Sequence, residues 1–482
     1  MPNPGGLSIS MQHRLLVNYA LFQAGQMRKK ADLLNDPLRP VLVRMTVPMM
    51  FGIISLMLFN LADIWFVAQL GTQPMAALAF TFPVSFAVVS LAIGLGIGTS
   101  ATLARRIGSG ETQFAARMAS DNLLMTAALM LLVGYLGQWI IDPIFRLMGA
   151  DEALLPLIAD YMQIWFAGSV FMVLNMVCNS IFRAAGDTRM SAVVMLVASG
   201  LNLILDPILI FGFGPIPAMG IKGAALASVI AWSITTVTAL YLLYFRQRMI
   251  LLSFSPFRQI WRNWCEVMTI SLPAALSNMM TPLANGVLTA MVAVHGAEAV
   301  AAFGVGNRIE ALALLACLAL SMTLPPFISQ NFGAGHLDRV KKAYATVIRF
   351  ALAWQIAVYL ILALLSGPLS QLFTDDPEVA YWIRIWILIV PIGFGFQATT
   401  FLSASAFNAL HQPMRALRIS LIRLFLLYLP LAWLGNYLFG LEGMFFALVL
   451  ANTLTAILAW SWMRRLLLQL RSEGQLVRGG AL

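Results

Sequence analysis

Three acidic residues stand inside long apolar stretches of the chain and are its best candidates for chemistry: Asp63, Asp206 and Glu310. A charge inside a membrane is costly unless it is paired or hydrated, so such acids mark ion or substrate sites. Asn60 lies three residues before Asp63, and Asn202 lies four before Asp206, so each aspartate shares a helix face with an amide. Two carboxylates flanked by amides can share a proton or coordinate Na⁺ through oxygen atoms, which relieves their mutual repulsion.

The two aspartates are predicted to lie at a similar depth in the membrane. At 1.5 Å per residue, Asp63 is about 28 Å along its helix from Arg44, and Asp206 is about 25 Å from Arg189. A structural alternative stays open, because an aspartate near the end of a span is often only a helix cap. Asp206-Pro207 in particular stands just before a turn that contains glycine.

The elements that must position these residues are membrane-spanning helices. Of 482 residues, 60% are hydrophobic and 10% are charged, and the mean hydropathy is +0.84; soluble domains carry about 25% charged residues. A spanning helix needs about 20 apolar residues. Twelve apolar runs of that length follow one another, at about 41–69, 75–103, 119–143, 154–182, 190–213, 223–245, 267–294, 298–326, 342–366, 381–409, 414–436 and 442–466. The composition excludes a soluble enzyme and a disulfide scaffold, and it predicts an all-α polytopic membrane protein.

The basic residues predict the topology. All but four of the 30 Lys and Arg residues fall in the connections after even-numbered runs or in the two terminal segments; the exceptions are Arg146, Lys222, Arg308 and Arg384. The positive-inside rule then predicts that both termini are cytoplasmic. This distribution accounts for the net charge of +10 without a nucleic-acid partner.

An internal repeat appears when the chain is shifted by 225 residues. Matching residues are Pro48 and Pro273, Asn60 and Asn285, Gly71 and Gly296, Gly108 and Gly333, and Ala184 and Ala409. Because each half has six runs, the repeat predicts two six-helix lobes related by a pseudo-two-fold axis along the membrane normal, with a cavity between them. At the same offset the two aspartates meet Leu288 and Leu431, so the ion site is expected in the first lobe only.

The other polar candidates have two readings each. Glu310 stands two residues after Arg308, and an i,i+2 pair does not share a helix face. Glu310 therefore either attracts cations into the cavity between the lobes or pairs with another helix. Asn175 and Asn179 could join the first-lobe site, although amides inside spans more often hold helices together.

The domain organisation follows from the runs: 1–40 is a cytoplasmic arm, 41–246 the first lobe, 247–266 a cytoplasmic linker, 267–466 the second lobe and 467–482 a cytoplasmic tail. No Gly-x-x-x-x-Gly-Lys-Ser/Thr loop is present, so the chain is not expected to hydrolyse ATP itself. Three dispersed cysteines and four dispersed histidines predict neither a metal site nor a cofactor.

Four segments together resemble the multidrug and toxic compound extrusion (MATE) transporters, from about Val41 to Leu466. They are Asn60-Leu-Ala-Asp63, Arg183-Ala-Ala-Gly186-Asp187-Thr188, Asn202-Leu-Ile-Leu-Asp206-Pro207 and Gly220-Ile-Lys-Gly223, in this order. The resemblance implies a V-shaped pair of lobes and export driven by inward H⁺ or Na⁺. It also implies a gating or folding role for Arg183, Gly186 and Asp187.

The DinF-like branch of that family implies specific site residues in the first lobe. Its coupling network corresponds to Asp63, Asn202, Asp206 and Tyr161, and its bending proline on the first helix corresponds to Pro48. The NorM-like branch also uses an acid on the seventh helix, and 267–294 contains none. This difference favours the DinF-like assignment.

The sequence therefore predicts a monomeric secondary antiporter in a bacterial inner membrane. It would export small organic compounds, often cationic, by alternating access, with H⁺ as the coupling ion and Na⁺ as the alternative. A lipid-linked precursor flippase is the runner-up, but its cavity should carry several basic residues, and the spans offer Arg308 and Arg384. A membrane enzyme and a passive channel are the remaining alternatives.

Overall fold

The computed structural model describes residues 32–251 and 255–479. The predicted arm falls largely on residues 1–31, outside the described residues. Within the described ranges the regular structure is helical, apart from an isolated β-bridge between Phe213 and Ile216.

The first half of the chain forms six long helices. They are α1 Leu38–Ala68, α2 Thr72–Gly108, α3 Thr112–Leu147, α4 Leu155–Ala184, α5 Thr188–Phe211 and α6 Ile221–Tyr241, which continues as a π-helical turn over Leu242–Arg246. The second half contains α7 Phe257–Ala293, α8 Ala297–Ala313, α9 Leu315–Gly333, α10 Leu337–Leu364, α11 Ser366–Phe373, α12 Pro377–Ile389, α13 Phe394–Ala409, α14 Pro413–Leu421, a π-helical segment Ile422–Tyr428 and α15 Leu429–Gly479.

The described helices account for most of the twelve predicted crossings. Nine helical stretches of the described chain are long and apolar enough to span, and the bent pair α8–α9, with a 46° angle, adds a tenth. The 60-residue stretch Pro413–Ser472 would measure about 90 Å as one helix, three times the apolar thickness of a bilayer. Its backbone leaves the helical region at Phe439 and Gly440, so it provides two crossings. The less apolar α7 covers the remaining predicted span, 267–294, and begins ten residues before it.

The internal repeat is also visible in the backbone, because glycines at equivalent turns have similar φ values. Gly71 and Gly296 have φ values of 107° and 106°, and Gly110 and Gly335 have 84° and 75°. A side chain is strained in this region of φ, so glycine is the residue that allows these turns. The same turn geometry therefore recurs 225 residues apart.

Each lobe has its own hydrophobic core, but the first helix is shared. One core is built from α2–α6 together with Val67 near the end of α1, and the other from α7–α15. Val41, Leu42 and Met45, at the start of α1, belong to the second core. The preceding turn is held there too, because Arg339 Nη2 donates to the carbonyls of Leu33 and Asp36 at 3.1 and 2.9 Å.

The lobes meet near one end of the bundle, which we call the basic face. It carries the connections 109–111, 185–187, 334–336 and 410–412, with arginines in the adjoining turns. A Cβ added to Gly108 would lie 2.7 Å from the carbonyl carbon of Gln330, and a Cβ on Gly333 would lie 3.0 Å from that of Arg105. Because Gly108 and Arg105 are the repeat equivalents of Gly333 and Gln330, this crossing of α2 and α9 is reciprocal.

Polar contacts join the lobes at the same end. Arg106 bonds Glu111 at 2.9 Å within its own lobe and Glu266 at 3.3 Å on α7. Asn263 Nδ2 donates to Asp121 Oδ2 at 2.7 Å. Gln330 Nε2 donates to the carbonyl of Ala184 at 2.7 Å. The basic-face halves of the lobes are thus closed against each other.

Candidate functional site

The close packing of α1 on α5 positions the two aspartates. Gly52 of α1 lies against α5, where an added Cβ would be 3.3 Å from the Cα of Ala192. One turn further, Ser55 Oγ donates to Ser199 Oγ at 3.4 Å. The small residue at Gly52 allows this approach, and the helices continue together toward Asp63 and Asp206, far from the basic face.

Carboxylate and amide oxygens at this site have no hydrogen-bond partner among the described residues. They are Asp63 Oδ1, both carboxylate oxygens of Asp206 and Asn202 Oδ1. Asp206 is completely buried and Asn202 is 1% exposed. Buried polar atoms are normally hydrogen-bonded, so four orphaned acceptors in one lobe form a site that can take up a proton or a cation.

The aspartates and Tyr161 form one electrostatic group. The charge of Asp63 interacts with Asp206, and both carboxylates interact electrostatically with the phenol of Tyr161. Tyr161 lies on α4 and is 8% exposed. Asn202 lies one turn before Asp206 on α5, where its Nδ2 donates to the carbonyl of Ala198 at 3.2 Å. Three helices thus bring together the four residues that the DinF-like resemblance implies for ion coupling.

Two predicted amides lie differently. Asn60 is exposed, although it shares a helix face with Asp63. Asn179 Nδ2 donates to the backbone carbonyl and the Oδ1 of Asn175, both at 2.9 Å. Asn175 Nδ2 and Asn179 Oδ1 find no partner among the described residues. The Asn175–Asn179 pair is therefore a local arrangement within α4.

Pro48 lies inside α1, which continues as a helix on both sides of it. A proline removes one backbone hydrogen bond from a helix and favours bending there. The turns before Pro48 pack in the core of the second lobe, whereas Asp63 lies beyond it in the first lobe. Pro48 thus separates the two parts of α1 that belong to different lobes.

The segment around Arg183, Gly186 and Asp187 links helices at the basic face. Gly186 has φ 80° and ends α4. Asp187 caps α5 by accepting from the backbone of Met190 at 3.1 Å, and it accepts from Gln247 Nε2 at 2.6 Å. Arg183 donates to Ser180 at 2.6 Å and to Ser191 on α5 at 3.3 Å. These contacts support a structural role.

The MatE family model matches the chain twice, over residues 48–208 and 273–434. The two matches begin 225 residues apart, at the spacing of the repeat, and together they cover most of the chain. The chain belongs to the MATE family of transporters. It is therefore a membrane transporter and not an enzyme.

Several relatives of this MATE transporter are known. It is 43% identical to a FAD transporter of Shewanella oneidensis over 440 residues, which are 91% of this chain and 97% of the relative. It is 27% identical to the multidrug export protein MepA of Staphylococcus haemolyticus, over 87% of this chain and 91% of MepA.

Solved MATE structures share the fold closely. The D35N mutant of VcmN from Vibrio cholerae superposes with a TM-score of 0.86 at 33% identity, covering 90% of this chain and 97% of that one. An outward-facing MATE transporter gives a TM-score of 0.86 at 27% identity, covering 92% and 99%.

The second lobe of the transporter contains a polar group whose members, Glu310 and Arg423, look unrelated in the sequence. Glu310 is partly buried, accepts from Gln397 Nε2 at 2.6 Å and interacts with Arg423. Arg423 was counted with the basic connections, but it lies in the π-helical segment inside the lobe. Its position about 15 Å along the helix from Pro413 was a signal that it is not a connection residue. Glu310 thus has its partners on other helices, as one of its two readings proposed.

Proposed function

We propose that this MATE transporter is a secondary active exporter of organic compounds, driven by inward movement of a cation through the first lobe. The observation that carries the proposal is the set of four buried, unpartnered oxygens of Asp63, Asp206 and Asn202. Acceptors without donors are costly in an apolar interior, and a proton or a cation relieves that cost.

H⁺ is the first candidate for the coupling ion. A protonated aspartate gains an O–H donor, which can bond a neighbouring acceptor such as Asn202 Oδ1, and the repulsion between Asp63 and Asp206 is removed. Proton uptake then favours one arrangement of α1, α4 and α5, and proton loss favours another. Transport follows if substrate and proton prefer different states, since only differential affinity shifts a population. Na⁺, bound by the same oxygens, is the alternative.

The membrane orientation is part of the proposal. By the positive-inside rule, the basic face with both terminal segments is cytoplasmic, and the membrane is the inner membrane of a bacterium. The inter-lobe contacts then close the cytoplasmic side, an arrangement that the similarity to an outward-facing MATE structure supports. The absence of an acid from 267–294 and the first-lobe location of the site favour the DinF-like branch.

FAD is the substrate to test first, because a FAD transporter is 43% identical over nearly the whole chain. Organic cations are the second class, since MepA relatives are multidrug exporters. A lipid-linked precursor flippase receives less support, because the interior arginine Arg423 already interacts with a carboxylate.

The test is transport into everted membrane vesicles, with FAD and a fluorescent organic cation measured separately under an imposed pH gradient or Na⁺ gradient. We expect gradient-driven transport by the wild type and its loss in Asp206→Asn. Asp160→Asn is the matched control, because Asp160 pairs at the surface with Lys222 at 3.1 Å. Transport that persists in Asp206→Asn, or that ignores both gradients, would refute the proposed coupling site.

A further inference from the structure

The second lobe holds a polar cluster, which we call the Arg423 cluster, with three buried and two partly buried members. It consists of Glu310 on α8, Gln397 on α13, Arg423 and Tyr428 on the π-helical segment, and Asn452 on α15. Gln397, Tyr428 and Asn452 are 3%, 8% and 2% exposed. Four helical elements thus direct polar groups toward one place in the interior of the lobe.

The guanidinium of Arg423 is held from several sides. It lies over the ring of Phe401, 5.2 Å from the centroid, and over the ring of Tyr428 at 5.1 Å. Arg423 and Asn452 both lie at the phenol hydroxyl of Tyr428. A π-helical turn adds one residue to the helix and redirects side chains, often at functional places. A flat cation between two aromatic faces is a stable arrangement.

Glu310 is the charge that this cation balances. One carboxylate oxygen accepts the amide of Gln397 at 2.6 Å, and Phe401, whose ring lies under the Arg423 guanidinium, follows Gln397 by one turn on α13. Glu310 and Arg423 thus contact the same stretch of α13, and their charges interact. A single amide cannot neutralise a carboxylate, and an unpaired charge in an apolar interior is strongly unfavourable. Arg423 supplies the compensating positive charge through its guanidinium.

The equivalent positions in the first lobe carry no charged side chain. By the 225-residue repeat, Glu310 corresponds to Ser85 and Arg423 to Ala198. The carbonyl of Ala198 is the partner of Asn202 in the first-lobe site. Arg423 thus lies on the helix equivalent to α5, which carries Asp206, whereas Glu310 lies on the helix equivalent to α2, which contributes no residue to the first-lobe site. In the first-lobe site two carboxylates interact with each other, whereas in the Arg423 cluster a carboxylate interacts with a guanidinium.

We propose that Arg423 is a built-in counter-cation. It balances the charge of Glu310, as a bound ion would balance the charges of Asp63 and Asp206. The second lobe is then electrically complete without an ion. As a consequence, which rests on the proposed function, the coupling ion enters and leaves through the first lobe alone. The counter-cation assignment itself rests on the second-lobe contacts and is independent of transport.

Removal of the guanidinium should turn the space beside Glu310 into a site that binds a cation from solution. In Arg423→Ala, Glu310 keeps Gln397 but loses its positive partner, and the deleted side chain leaves space. The carboxylate must then bind a cation from solution or a proton. Methylguanidinium matches the missing group in shape and charge, whereas methylammonium and urea lack the planar cation.

The experiment measures thermal unfolding of the purified full-length protein in nanodiscs with about 0–20 mM methylguanidinium. These concentrations are far below those at which guanidinium salts denature proteins. We expect Arg423→Ala to be less stable than wild type, to regain stability with methylguanidinium but not with urea, and to be more stable at pH 5 than at pH 7.5. Arg384→Ala removes an exposed arginine and should show none of these responses.

The double variant Glu310→Gln/Arg423→Met keeps the test decisive if Arg423→Ala does not fold. Without the carboxylate no counter-cation is needed, so the double variant should recover folding and show no response to methylguanidinium. A double variant as unstable as Arg423→Ala, or an Arg423→Ala protein with wild-type stability, would overturn the proposal. Because no transport is measured, a failed ion-coupling assay leaves this result unaffected.

Discussion

The reciprocal crossing of Gly108 and Gly333 should control opening at the basic face. In Gly108→Ala, the new methyl group would lie 2.7 Å from the carbonyl carbon and the Cα of Gln330, where ordinary contact begins at 3.4 Å. The carbonyl oxygen of Gln330 would lie closer still, so one helix must move by more than about 0.7 Å, and over-packing of this kind costs about 1–3 kcal/mol. The cost applies while the lobes are closed at this face and disappears when they separate.

The expected result is a shift toward the state that is open at the basic face. A difference of 1–3 kcal/mol corresponds to a population change of about 5- to 150-fold. The higher helix propensity of alanine acts equally in both states, so it cancels from this ratio.

The assay is the rate of maleimide modification of a cysteine placed at Ala101, which is 1% exposed at the basic-face interface. The exposed Cys265 is first replaced by serine, and the buried Cys178 and Cys317 remain. Modification requires opening, so the rate should rise about 5- to 150-fold in Gly108→Ala. Gly304→Ala is the matched control, because Gly304 has no atom within 4 Å of an added Cβ. A rate within twofold of the parent in Gly108→Ala would refute the reasoning.

Three further predictions concern single side chains. Asp63→Asn should abolish gradient-driven export without loss of inserted protein, because the amide cannot exchange a proton; wild-type export by this variant would contradict the site. His411 lies in the connection 410–412, where burial and the nearby Arg105 lower its pKa from 6.5 to about 4. Its contribution to stability is therefore complete above pH 6.5 and is lost as the pH falls toward 4, on the order of 2 kcal/mol by pH 5. The Tm of the wild type should fall more between pH 7 and 5 than that of His411→Gln, and equal slopes would argue against it. Asp187→Ala should cost about 1–2 kcal/mol by loss of a helix cap, seen as a lower Tm with unchanged export per folded molecule; reduced export at full stability would instead indicate a gating role.

The first-lobe site shows how far residue types and spacing lead. Asp63 and Asp206 were identified because acids are costly in apolar helices, and the depth of each followed from the rise per residue. That Tyr161 joins them came from the family resemblance, since a tyrosine in an apolar run carries no such signal. The exposure of Asn60 did not follow from helix periodicity, because a shared face does not say how much of it a neighbouring helix covers.

Arg423 shows where linear reasoning fails. Its distance along the chain from Arg415 and Arg418 made it look like the end of a basic connection. The π-helical segment and the facing rings of Phe401 and Tyr428 place it inside the lobe instead. The contact with Phe401 joins Arg423 to another helix, α13, so a local pattern cannot reveal it.

The sequence by itself determined the membrane class, the run of apolar helices and the two-fold repeat, because the bilayer requires apolar helices of a defined length and a duplicated chain keeps its turn glycines. Only the tertiary structure decided that the start of α1 packs in the second core, that the lobes close at the basic face and that Glu310 has an internal cation. Each of these depends on the packing of one helix against another, and apolar side chains allow many helix pairings until shape and buried charge select one.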